Sequence, residues 1–107
     1  MQIFDLEDVQ KGPGSGQKSI LLYEKDGFKL RSITLNPGDD IPPCEMASSV
    51  IFHVLAGSVE ITSNAHTASI KEGQCVVSEP ATISMFSTTG ARLLGIQIRT
   101  PPGMTND

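Results

Sequence analysis

The chain has 107 residues, with 8 Lys+Arg against 12 Asp+Glu, a formal net charge of −4 and a pI near 5.0. That is one domain with a single modest core, and its acidic balance excludes a basic footprint for nucleic acid or an anionic membrane. No apolar stretch approaches the roughly 20 residues a spanning helix needs, and Met1-Gln2-Ile3-Phe4-Asp5 lacks the cationic and apolar blocks of a signal peptide. The expected compartment is the cytoplasm, where Cys44 and Cys75, in no Cys-x-x-Cys motif, stay as reduced thiols.

Residues 4–9 allow one helical turn, and Lys11-Gly12-Pro13-Gly14-Ser15-Gly16 follows as a flexible loop. The first 18 residues thus form an N-terminal segment ahead of a β-domain over 19–100. The β-rich runs Ser19–Lys25 and Phe28–Leu35 flank Asp26-Gly27, a two-residue hairpin signal. Asn36-Pro37-Gly38 closes the second run. Residues 50–55 and 58–62 read as two strands separated by Ala56-Gly57, and Ser63-Asn64-Ala65 turns the chain into 66–70. Lys71-Glu72-Gly73 leads into Cys75–Ser78, residues 82–87 and 92–99 complete the series, and Pro101-Pro102-Gly103 opens a tail over 101–107. About eight strands with frequent turns predict an all-β sandwich or barrel, with no room for crossover helices.

The stretch Pro37-Gly38-x-x-x-Pro42…Val54-Leu55-x-Gly57-x-x-x-Ile61 resembles the first signature motif of the cupins. That motif reads Gly, five residues, His, one, His, three or four, Glu, six, Gly, and Gly38 and Gly57 stand at its two ends. Gly73 opens the second motif, which reads Gly, five, Pro, one, Gly, two, His, three, Asn. The resemblance covers residues 29–99 and implies a small antiparallel jelly-roll barrel that often holds a ligand at its mouth. It also implies four inward metal-ligand positions, occupied here by Cys44, Met46, Val50 and Ser84. Glu79, Ala81 and Thr88 replace the Pro, Gly and Asn of the second motif. A divalent first-row ion wants imidazole and carboxylate donors, so no metal and no cofactor are expected.

Strand alternation from those slots turns Cys44, Met46, Val50, Phe52 and Val54 inward, with Ser84 and Phe86 facing them. The expected pocket is apolar, with a thiol, a thioether and a hydroxyl, and suits a small, largely apolar molecule or a sensing role. A solidly packed barrel is the plain alternative. Two other readings stand beside it: a metal-independent isomerase or lyase acting on a small carbonyl or sugar-like compound, and a soft Cu(I) site on Cys44 and Met46. Cys44 has no base or cation beside it in sequence and is expected as an inert buried thiol. His66 follows a turn and is expected in solvent, Gln97 is a candidate pocket hydrogen bond, and Asp39, Asp40 and Glu45 read as solvated loop residues. Ile51, His53 and Leu55 form an outward, largely apolar stripe on a strand already apolar within, which predicts a two-fold homodimer through that face.

Overall fold

The computed structural model describes residues 1–6 and 18–99. The helical turn expected over 4–9 falls partly outside this range, as do the loop at 11–16 and the tail at 101–107; residues 4–6 carry no helix. Eight strands follow: β1 Ser19–Lys25, β2 Phe28–Leu35, β3 Asp40–Met46, β4 Ser49–Ser63, β5 His66–Lys71, β6 Cys75–Ser78, β7 Ala81–Phe86 and β8 Ala91–Ile98. All their pairings are antiparallel. The hairpin of β1 and β2 closes at Asp26-Gly27, where Gly27 takes the positive φ that such a turn requires.

The strands differ from the expected set in two places. Residues 50–55 and 58–62 belong to one strand, β4, because Ala56-Gly57 bends the chain without reversing it. The ladder of β4 with β8 shifts register between Val54 and Ala56, which leaves Leu55 as the extra residue of a bulge. The second difference is β3, which sequence alternation does not reveal. Pro42 and Pro43 cannot donate to a ladder, and proline is tolerated where a strand is paired on one side only. β3 pairs with β7 alone, and its register slips between Ile41 and Cys44 around the two prolines.

Because β4 is long and bent, it belongs to two sheets. Its first part pairs with β8 and β6, and β2 and β1 extend that sheet. From Ser58 onward it pairs with β5 on one side, and from Glu60 with β7 on the other, with β3 beyond β7. The inner faces of the two sheets meet in a core of Ile33, Leu35, Val50, Phe52, Val54, Val59, Ile61, Ile83, Met85, Ala91 and Leu93. Lys18 Nζ donates to the Asp40 carbonyl at 2.7 Å and ties the start of β1 to the start of β3.

The bend is held by close backbone contact. Gly57 has φ +77°, and a Cβ built there would overlap the carbonyl oxygen of Gly90. Ser58 N–H donates to that same carbonyl at 3.3 Å. The Ser87 hydroxyl, 1% exposed, donates to the Ser58 carbonyl at 2.7 Å and accepts from Gly90 N–H at 2.8 Å. We expect Gly57→Ala to cost about 3 kcal/mol or more, from left-handed strain added to backbone overlap. In a thermal melt this lowers the midpoint by more than roughly 10 °C; a midpoint close to the wild type would mean the bend does not need glycine.

Candidate functional site

Between the two sheets lies a cavity of about 270 Å³, open to solvent on one side. From β2 it takes Arg31 and Ile33, which lie on the same face as buried Leu35. From β8 it takes Gly95 and Gln97, on the face of buried Ala91 and Leu93. Phe52 of β4 and Ile83 and Met85 of β7 form the deeper walls, while Ser19 of β1 and Ile41, Cys44 and Met46 of β3 complete the lining. Gly95 makes part of the room: a Cβ there would lie 3.3 Å from both Ile33 Cδ1 and Phe52 Cε1. The slip at Pro42-Pro43 makes the rest of β3 useful. It pairs Ile41 with Met85 and Cys44 with Ile83, so two residues three apart face the same cavity.

Several sequence-based placements need correction. Cys44, Met46 and Phe52 border the cavity. Val50 and Val54 point inward but are wholly enclosed in the core, at 0% exposure, and do not border it. Ser84 and Phe86 lie on the opposite face of β7, in a shallow outer depression beside Asp40, Pro42 and Glu60. The reason is one residue. Counting five from Gly73 places the motif proline at 79, whereas the chain has it at Pro80. Counting onward from Pro80 puts Met85, which does face in, at the last ligand position. Cys44 is exposed at the cavity rim rather than buried, and Cys75 is exposed as well.

On the outer face, Ile51 lies between Ile96 of β8 and Val77 of β6, and His53 between Leu94 and Cys75. Ile51 is half-buried and His53 exposed. Leu55, half-buried, is the extra residue of the bulge after inward Val54. His66 is exposed, and Asp39 Oδ2 accepts from Asn36 N–H at 2.9 Å, closing its loop.

Arg31 is the charged lining side chain that sequence reasoning left out of the pocket. Its Nε–H donates to Gln97 Oε1 at 3.0 Å, and Gln97 Nε2 in turn faces Met46 Sδ at 4.0 Å. The signal was present in β2, where Arg31 alternates in phase with Ile33 and Leu35 and so faces the interior. Among the eleven lining residues, Arg31 and Cys44 are the only ionisable ones.

Neither a family model nor a curated protein sequence matches the chain. Solved structures do. A cupin superfamily protein from Desulfitobacterium hafniense superposes with a TM-score of 0.70 at 14% identity, over 77% of this chain and 76% of that one. A conserved protein of unknown function from Streptococcus pyogenes gives 0.69 at 19% identity, over 78% and 74%. The fold is the cupin fold. A salicylate 1,2-dioxygenase from Pseudaminobacter salicylatoxidans also superposes, with a TM-score of 0.68 at 16% identity, over 75% of this chain and 25% of that one. The shared fold thus spans an enzyme and a protein of unknown function, and does not itself assign a reaction.

The cupin barrel is a common metal site, but the side chains here do not fit a divalent ion. Among the described residues, no three His, Cys, Asp or Glu come together. The cavity instead offers the sulfurs of Cys44, Met46 and Met85. Those are soft donors that would suit Cu(I) better than a first-row divalent ion. They share the cavity with the Arg31 guanidinium, however, which repels any cation, and Met46 sulfur already faces the Gln97 amide.

The exposure of both cysteines has a direct check. In native protein, without denaturant, both Cys44 and Cys75 should react with a small disulfide reagent. Reaction of Cys75 alone would mean that Cys44 is closed off inside the barrel.

Proposed function

We propose that this cupin domain binds a small, largely apolar molecule in the cavity between its sheets. The observation that carries this reading is the cavity itself, about 270 Å³ walled mainly by Ile33, Ile41, Met46, Phe52, Ile83 and Met85. An apolar cavity of about 150 Å³ already accepts benzene. The walls stand on strands of both sheets, so the volume is preformed rather than made by a loop. A binding role fits better than catalysis. General acid–base chemistry needs two titratable groups on opposite sides of a substrate, and the lining supplies only the Cys44 thiol beside a guanidinium.

The outer face of the five-stranded sheet supports self-association through that face. Leu30, Leu94, Ile96, Ile51 and Val77 lie side by side across β2, β8, β4 and β6. Val77 is 67% exposed and Ile98 44%. A monomer leaves few contiguous apolar patches of this kind in water. A two-fold homodimer covers the patch with its own copy.

Two measurements test these readings. Toluene at ten times its Kd should stabilise the wild type by about 1.4 kcal/mol, a rise in melting temperature of roughly 5–10 °C. Cys44→Trp places a large ring in the cavity from its exposed rim and should abolish that rise. An equal rise in the variant would locate binding elsewhere. For the dimer, Val77→Asp should give a folded monomer by native mass spectrometry, while an unchanged dimer, or a wild type that is already monomeric, counts against the face.

A further inference from the structure

The geometry points to a monocarboxylate as the ligand class: an apolar body between the sheets, with the carboxylate against Arg31. This rests on the reading that the cavity binds a small molecule, and it names the head group that the walls alone leave open.

Arg31 is half-buried on the inner face of β2, and its neighbours around the cavity are mainly aliphatic, aromatic and thioether groups. Of its five N–H donors, only the Nε–H has an acceptor among the described residues, Gln97 Oε1 at 3.0 Å. Among the described residues, its two terminal nitrogens meet no hydrogen-bond acceptor of the protein and no carboxylate at ion-pair distance. The Lys29–Glu24 ion pair lies on neighbouring strands outside the cavity. Among the described residues, the cavity therefore carries a fixed positive charge with no anion beside it.

A guanidinium in an apolar recess is favoured by an anion that shares the recess, and its planar fork matches the two oxygens of a carboxylate. Gln97 reinforces this selection. With Oε1 turned to Arg31, its Nε2 points toward Met46 Sδ at 4.0 Å, a weak acceptor that a ligand oxygen readily replaces. Two donor groups then converge on the same head. No donor arrangement of comparable strength lies deeper, where Phe52, Ile83 and Met85 form the wall, so the body is hydrocarbon or aromatic. The same positive charge rejects amines and metal cations.

The test titrates benzoate and the straight-chain acids from butanoate to octanoate, each beside its uncharged primary amide, by calorimetry. The proteins are the wild type, Arg31→Met, Arg31→Lys and Cys44→Trp. A charge-assisted contact predicts that the best acid binds the wild type about tenfold to a hundredfold more tightly than its amide. Arg31→Met, which keeps the stem that packs in the wall, should erase that preference while leaving amide affinity within about twofold. Arg31→Lys should keep part of it, and Cys44→Trp should lose acid and amide alike. Equal binding of acid and amide to the wild type, both lost in Cys44→Trp, overturns the carboxylate assignment and leaves the cavity as a binding site. A preference for the acid that persists in Arg31→Met overturns it too, since another group would then read the charge. Absence of binding by every acid and every amide, or undiminished binding in Cys44→Trp, overturns both readings.

Discussion

One strand belongs to both sheets, and the architecture depends on how it passes from one to the other. At Gly57 the chain bends with φ +77° against the Gly90 carbonyl, and the Ser87 hydroxyl joins the two segments by bonding to both Ser58 and Gly90. This contact holds the sheets close at one end, where Val54, Leu93 and Leu35 are almost wholly enclosed. The cavity lies apart from this contact, lined by residues of both sheets.

Within that receptacle the side chains have changed the chemistry that the fold usually hosts. The positions that carry imidazole and carboxylate in a metal-binding cupin carry sulfur or hydrocarbon here, and the remaining strong polar group comes from a different strand. Arg31 on β2 and Gln97 on β8 are joined across neighbouring strands by a 3.0 Å hydrogen bond. The cavity thus carries a guanidinium among apolar walls, where the resemblance to the cupins would put metal ligands.

The sheet that carries Arg31 and Gln97 is apolar on both faces. Its inner face makes the core and half of the cavity; its outer face presents Leu94, Ile96, Ile51 and Val77. The strands that build the pocket therefore also build the surface through which copies of the chain would meet. Packing on the outer face would stiffen the wall behind Arg31, because β2 and β8 are shared by both.

Much of the all-β architecture was legible in the amino-acid order. The Asp26-Gly27 hairpin and the limits of β1, β2 and β6 follow from turn chemistry and period-two alternation, which are local. The site was legible only in part, through Cys44, Met46, Phe52 and Gln97. Alternation carries a face assignment along a strand until a bulge or an extra residue reverses it, and such reversals occur at Pro42-Pro43, at Leu55 and before Pro80. The last displaced Ser84 and Phe86 from their expected faces, while the first brought Ile41 into the lining. Which inward residues end in solid core and which border empty space was decided by tertiary structure alone. Val50 and Arg31 both face inward, and only the packing around each separates a filled interior from a cavity.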